Sequence, residues 1–467
     1  MNAVTDPAQR LDRAFTAWRS APDDLATRTR LAIMLYHNAD QATAAHCDAI
    51  GSMVRDPAID PAQFECSGWL ALADSMPRPD DPEAAARWLE SDATALGLLE
   101  QTQVAEAKAE RLLSAIRRWL LTHGRVADFP NAAAALVRQA MLNGGAWPFD
   151  EEERAALADS PDFAPAYVPP PPPEHAVGTF DAAVTRSVAG QYTRWPYPIW
   201  QRSNALPPMP LRQRLKRLGP GAPDLPSRAD ILVAGCGTGR EAANVARAAP
   251  DAHVTAIDLS ATSLAYARER CARLENITFR QHDIDAVAEL DRQFDYISTS
   301  GVLHCLPDPD AGWARLAATL KPGGAMRVAL YSKAPRLAVA AARLRLGELV
   351  DQPVTDDLIR EARRILIADP VQRINDSRDF FSNAGVHDLL LHVYEEQYDV
   401  ARMRRAIAGT GLDLLGFELP SPAIAARYAE MFPDDPWRRN YDHWAAFEMR
   451  FPTTFGAMYR VDCVKPG

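Results

Sequence analysis

The sequence predicts an α/β fold, with a mostly parallel sheet in its second half and helices in its first. Three observations predict it. From Asp230 onward, short apolar runs alternate with segments of helical length. Residues 1 to about 160 instead keep apolar residues at three- and four-residue spacing throughout. Between the two regions stand five consecutive prolines, 169 to 173, which favour a stiff extended spacer and cannot join a helix or sheet interior.

The first region reads as all helix. LDRAFTAWRSAPDDLATRTRLAIMLYHN and QVAEAKAERLLSAIRRWLLTHG carry the helical period, and NAAAALVRQAMLNGGAW is a third helix stopped by Gly144 and Gly145. No convincing 34-residue self-similarity is evident, and repeat-like helix pairs stay an open alternative.

The second region is read strand by strand. ADILVAGCG is a buried strand and REAANVARAAP a helix. HVTAIDLS, NITFRQHDI, FDYISTSGVLH and AMRVALYS are strands, with SLAYARERCARL and WARLAATLKPGG as helices between them. Residues 334 to 467 are mostly helical, with two late strands at 412 to 419 and 458 to 465.

Composition excludes several classes. With 467 residues the chain exceeds one ordinary core. Its 51 basic residues against 61 acidic ones give a formal charge of −10, which argues against a general nucleic-acid-binding face. No run of eighteen apolar residues is present, and the start MNAVTDPAQRLDRAF lacks an apolar signal core. The six cysteines lack CxxC spacing, so a reduced, cytoplasmic protein without structural zinc or disulfides is expected.

The chemistry begins at ILVAGCGTGREA. Gly235, Gly237 and Gly239 follow a strand and precede a helix, where glycine permits positive φ and a close backbone approach to a ligand. The dinucleotide pattern needs glycine at 240, and this chain has Arg240. No GK[ST] follows, so a P-loop is excluded. Asp258, at the end of the next strand, stands where an acid accepts ribose hydroxyls; its plain alternative is a strand-end cap. Asp283, after the third strand, is placed to meet an adenine amino group.

In order, ILVAGCGTGREA, AIDLS, QHDI, FDYISTSGVLHCLPDP and LKPGG resemble the class I S-adenosylmethionine-dependent methyltransferases over residues 228 to 332. The resemblance implies a Rossmann-like sheet completed by the two late strands, with S-adenosyl-L-methionine as cofactor. It implies that Gly235, Gly237 and Gly239 wrap the methionine part of the cofactor. Asp258 would hold the ribose, Leu259 beside it would also bind the cofactor, Asp283 would hold the adenine amino group, Ile284 would pack on the ring, and Ser300 would line the transfer site. QYTRWPYPIW is similar to the QYEENPYPRW segment of bacterial methyltransferases that often carry an N-terminal tetratricopeptide-like region. It departs from that segment at Thr193, Arg194 and Trp195.

That aromatic segment, residues 191 to 200, precedes the first strand and is expected to lie over the cofactor as a rigid turn. Tyr192 and Tyr197 are assigned to a lid over the sulfonium, since aromatic faces attract cations, and Trp195 and Trp200 to the core. The helix LRQRLKRL after it reads as amphipathic with a solvated basic face. His304 is the first candidate base for an oxygen or nitrogen nucleophile. Its alternative is a histidine buried under the next helix, and Cys305 beside it reads as a small buried side chain. His392 with Glu395 or Glu396, at helical spacing, is a second candidate base or a surface pair.

The expected organisation is a helical domain over 1–160, a linker over 161–178, a cofactor-binding core over 179–333, and a helical cap with the last two strands over 334–467. In the cap, Phe380 to Tyr398 and Phe447 to Tyr459 offer aromatic walls, and Asp376, Arg378 and Asp379 could orient a polar substrate. A small-molecule acceptor, a thiol, amine or hydroxyl, is favoured over a protein one, with no nucleic acid, membrane or metal partner. A fold that only senses the cofactor is the rival reading. Residues 174 to 467 are expected to fold alone.

Overall fold

The computed structural model describes residues 7–171 and 183–467. The later part of the linker and the first residues of the expected core, 172–182, lie outside the described residues. The chain divides into two compact units. One comprises Met1–Pro171, Ile199–Leu206 and Ala341–Leu391; the other comprises Pro172–Pro198, Pro207–Ala340 and His392–Gly467. These boundaries differ from the sequence-based ones, because about fifty residues of the expected cap belong to the helical unit.

The helical unit is built from short helices with explicit starts. Asp24, Asp81 and Asp92 each accept a backbone amide at an N-cap, and Gly144 ends the helix Pro130–Asn143 in the left-handed conformation (φ 71°). Leu31, Leu35, Ile50, Met53, Trp69, Leu89, Leu98 and Ile116 are fully buried in its core. The early linker also belongs here. Phe163 and Tyr167 are buried, and the Arg117 guanidinium lies 3.9 Å from the Tyr167 ring centroid. Phe380, Phe381 and His387, expected to wall a pocket, are buried within this unit too. Arg378 of the supposed substrate-orienting cluster is ion-paired with Glu65. The unit therefore uses these residues for packing, and their aromatic character in the sequence could not show which core they enter.

The second unit holds a seven-stranded sheet: β1 (Asp230–Ala234), β2 (His253–Asp258), β3 (Ile277–Gln281), β4 (Phe294–Ser300), β5 (Leu320–Tyr331), β6 (Asp413–Phe417) and β7 (Met458–Val464). Their order across the sheet is β3-β2-β1-β4-β5-β7-β6, and β7 runs opposite to the other six strands. The strands read as continuous apolar runs because both faces are covered. Ile231 and Val233 enter one core with Leu211, Leu215 and Val245. Leu232 and Ala234 enter another with Trp313, Leu316 and Val328.

Three expectations are corrected in this unit. Tyr192 lies in the helix Ala183–Arg194, so the rigid turn begins only at Trp195. The basic face before β1 is not wholly solvated: Arg214 turns inward to Asp462 (3.0 Å) and to the Tyr296 hydroxyl (2.7 Å), which offset the cost of burying its charge. Tyr428, Trp444, Phe447, Phe455 and Tyr459 form a packed cluster around Phe417 rather than an open pocket wall.

Candidate functional site

The site grows from the carboxyl edge of the sheet. β1 pairs with β2 on one side and β4 on the other, so the chain's order reverses there, the place where open sheets of this kind bind ligands. The loop after β1 is fixed by steric need. The Gly235 and Cys236 amides both donate to the Ile257 carbonyl, at 2.8 and 2.9 Å. A side chain on Gly235 (φ 70°) would meet the Val302 methyls at 2.4 Å, so this loop and the one after β4 touch backbone to side chain.

Gly239 (φ 87°) lies where the helix Arg240–Ala248 starts, 2.7 Å from Ala267 when a Cβ is added. Gly239→Ala is expected to lower unfolding free energy by about 2 kcal/mol in urea titrations, from the left-handed backbone alone, before any steric shift. An unchanged midpoint would mean the loop adopts another conformation in solution.

Asp258 ties this loop to β2. Its carboxylate accepts from the Gly237 amide at 2.7 Å and the Ser260 amide at 2.9 Å. Burial pushes its pKa up, against those two amides, which favour the charged form. Each oxygen has a lone pair to spare, so the carboxylate can accept further hydrogen bonds from a ligand. Asp283 caps the short helix Ile284–Leu290 through the Asp285 amide (2.9 Å) and remains half-buried. Ile284 is buried in the core, Leu259 is half-buried, and Ser300 is exposed at the end of β4.

The aromatic segment lies over this loop. The Thr238 hydroxyl donates to the Pro198 carbonyl, and the Tyr197 carbonyl stands 3.0 Å from where a Gly237 Cβ would be. The Ser260 hydroxyl donates to the Tyr192 carbonyl at 3.0 Å. Thus the backbone of 192–198 is fastened to the glycine loop and to the start of the helix after β2.

Residues 231–324, the span that holds this loop and the Asp258 and Asp283 turns, match a family model described as a methyltransferase domain. Residues 231–324 therefore form a methyltransferase-like domain. An uncharacterised protein of Synechococcus sp. is 34% identical over 252 residues, 50% of this chain and 60% of its own length. A trans-aconitate 2-methyltransferase of Deinococcus radiodurans is 39% identical over 100 residues, 21% of this chain and 37% of its own. A demethylmenaquinone methyltransferase of Tropheryma whipplei is 36% identical over 117 residues, 25% of this chain and 48% of its own. The chain thus spans 60% of the first of these relatives and less than half of the other two.

At the ends of β4 and β5 the same unit gathers a second polar group. The segment after Leu391 is not helical, so His392 has no helical partner in Glu395 or Glu396. It forms a strap instead. Val393 donates to Gln191 (3.3 Å), Glu396 to the His304 carbonyl (2.8 Å) and Tyr398 to the Tyr331 carbonyl (2.9 Å). His392 Nδ1 accepts from the Tyr394 amide at 3.2 Å, so the neutral ring carries its proton on Nε2. That proton faces Tyr192 Oη at 3.3 Å and Cys305 Sγ at 3.4 Å. Burial lowers the His392 pKa to about 4.

His304 is wholly buried, stacks on Tyr331 with centroids 3.9 Å apart, and has no hydrogen-bond partner on either ring nitrogen. Its pKa lies well below the usual histidine range because of burial, then His392, then Arg336. The Arg336 guanidinium is buried, lies 4.2 Å from the Tyr331 ring centroid, and is held by Glu395 through Nε (3.0 Å). The sequence reading found His304, Tyr192 and His392 but missed Tyr331 and Arg336. A tyrosine at a strand end and an arginine in an alanine-rich helix carry no motif, and only the fold brings them to His304.

Proposed function

We propose that the chain is an S-adenosylmethionine-dependent methyltransferase acting on a small molecule. The observation that supports it most is the pairing of the Gly237 amide with Asp258 at the switch point of the sheet, inside the span that matches the family model. Gly235, Gly237 and Gly239 shape the loop that would wrap the methionine part of the cofactor. Asp258, with Leu259 beside it, keeps lone pairs for the ribose hydroxyls. Asp283 serves the adenine amino group, Ile284 the edge of the ring, and Ser300 the acceptor side. Tyr192 and Tyr197 hold the lid, and their backbones are anchored as described above.

When bound, S-adenosylmethionine supplies an electrophilic methyl group on a sulfonium. The chain's own part is to position an acceptor, exclude water and shape the charge around it. A small acceptor is supported by two of the relatives, a trans-aconitate 2-methyltransferase and a demethylmenaquinone methyltransferase. A protein acceptor read by the helical unit is the second reading. No helix among the described residues is long and apolar enough to cross a membrane.

Calorimetry tests the cofactor assignment. S-adenosylmethionine and S-adenosylhomocysteine should both bind, and Asp258→Ala should weaken each by about 1.5–3 kcal/mol, the scale of lost charge-assisted hydrogen bonds. Tight binding of NAD with no heat from S-adenosylmethionine would end this reading.

A further inference from the structure

We propose that Gln191 is a positioning residue, through which a bound cofactor holds the strap 392–398 closed over the acceptor side. The proposal rests on the methyltransferase reading and adds a closing step to it.

The first support is the way the helix Ala183–Arg194 ends. The Tyr192 carbonyl would take its helical hydrogen bond from the amide of residue 196, but residue 196 is proline and has none. The Ser260 hydroxyl fills that place at 3.0 Å, with the Ser263 hydroxyl at 3.4 Å. Ser260 itself belongs to the turn after β2. Its amide donates to Asp258 at 2.9 Å, and Asp258 also accepts from the Gly237 amide at 2.7 Å. Glycine loop, Asp258, Ser260 and the end of this helix are thus joined by hydrogen bonds without a break. A ligand that engages Asp258 stiffens the very group that caps the helix.

The second support is the unequal hold on the two ends of the strap. Tyr398, at the far end, is fixed to the sheet. Its amide donates to the Tyr331 carbonyl at 2.9 Å, its carbonyl accepts from the Lys333 amide at 2.8 Å, and its hydroxyl donates to Asp310. The near end is tied to the capped helix. The Val393 amide donates to Gln191 Oε1 at 3.3 Å, and His392 Nε2 lies 3.3 Å from Tyr192 Oη and 3.4 Å from Cys305 Sγ. Gln191 and Tyr192 stand in the last turn of that helix, so what Ser260 steadies, the strap inherits.

The third support is place and cost. Between its ends the strap sends the Glu396 amide to the His304 carbonyl at 2.8 Å, just after β4. It therefore crosses the ends of β4 and β5, the edge where Ser300 also stands. Within 392–398, His392 and Tyr398 are buried and Val393 is exposed. A segment that buries so little apolar surface opens locally at far less cost than the sheet unfolds. Opening admits an acceptor, and a cofactor that stiffens the clasp at Gln191 closes the strap behind it.

Amide hydrogen exchange of the full chain, with and without S-adenosylhomocysteine, tests this. In wild type the ligand should slow exchange of the strap by about tenfold, besides slowing the glycine loop. Gln191→Met removes the acceptor, and Val393→Pro removes the donor, of one and the same hydrogen bond. Both variants should still bind S-adenosylhomocysteine by calorimetry and protect the glycine loop. Both should lose the ligand-dependent slowing at the strap's remaining amides. Gln191→Glu, which offers the Val393 amide a carboxylate oxygen at the same reach, should retain it. If Gln191→Met fails to fold, Val393→Pro, at an exposed position, still reads the same bond. A residue that merely packs would change strap exchange equally with and without ligand, and that result overturns the proposal. So does wild-type strap exchange that the ligand leaves unchanged while the glycine loop is protected. Slowing that persists in Gln191→Met and Val393→Pro, or that is lost equally in Gln191→Glu, also overturns it. Failure of wild type to bind S-adenosylhomocysteine would instead overturn the methyltransferase reading.

Discussion

Glu110→Ala is expected to cost about 3–5 kcal/mol of unfolding free energy, because it leaves a buried cation without its counter-charge. Arg363 is wholly buried in the helical unit, on the helix Asp356–Ala368. Its Nη2 donates to both oxygens of Glu110, at 2.7 and 3.0 Å. Its Nε donates to the Phe380 carbonyl and its Nη1 to the Ala146 carbonyl, each at 2.7 Å. One guanidinium thus fastens two stretches of chain more than two hundred residues apart in sequence. Replacing the pair with Glu110→Leu and Arg363→Met together should recover only part of the loss. The buried charge is gone, but two carbonyls lose their donor, at about 1–3 kcal/mol each. Urea unfolding of the full chain decides it. A cost below about 1 kcal/mol for Glu110→Ala would mean that water reaches the pair.

The same contact revises the expectation that residues 174 to 467 fold alone. A chain starting at Glu174 lacks both Glu110 and the Ala146 carbonyl. Arg363 would keep only Phe380, and the segment Ala341–Leu391 would lose the unit it belongs to. Limited proteolysis of such a fragment should cut within 341–391 before it cuts the sheet.

The sheet was legible in the sequence because its signals are local. A buried parallel strand needs an unbroken apolar run, and each helix between strands carries its own period, so β1 to β5 and the two late strands stand near their expected places. The glycine loop was legible because positive φ at three nearby positions leaves almost no residue but glycine. The destination of 341–391 was not legible. Phe380, Phe381 and Arg363 have the same local pattern whether they pack on the helical unit or on the sheet, since amphipathic helices do not encode their partner. The strap at 392–398 was misread for a related reason. Its backbone is satisfied by Gln191, His304 and Tyr331, far away in sequence, and those bonds outweigh a local helical tendency. The stack of His304 on Tyr331 depends in turn on that strap and on the end of β5, so no spacing rule could have found it.

Acid should destabilise the protein between pH 6.5 and about 4, and His392 should account for about 3 kcal/mol of the loss. In the unfolded chain His392 takes up a proton near pH 6.5; in the folded protein it resists until about pH 4, chiefly because it is buried. Between those values the unfolded chain binds more protons, so stability rises with pH and falls on acidification. Below about pH 4 both states are protonated, and the loss from this residue is complete. Glu395 favours the charged ring, whereas Arg336 disfavours it, and burial prevails. His304 acts in the same direction and continues to lower pH, since its pKa is depressed further by burial, His392 and Arg336. Asp258 and Glu448 act oppositely, because burial raises their carboxyl pKa values and makes the folded state the better proton acceptor. The raw profile is therefore a sum, and a variant isolates one member of it. His392→Gln keeps an acceptor for the Tyr394 amide and a donor for Tyr192 but cannot titrate. Its urea-unfolding free energy should match wild type near pH 7.5 to within about 1 kcal/mol and exceed it at pH 4.5. The slope between those values should be flatter by up to about one proton. Parallel profiles for the two proteins would show that His392 already titrates normally in the folded state, with water at its ring.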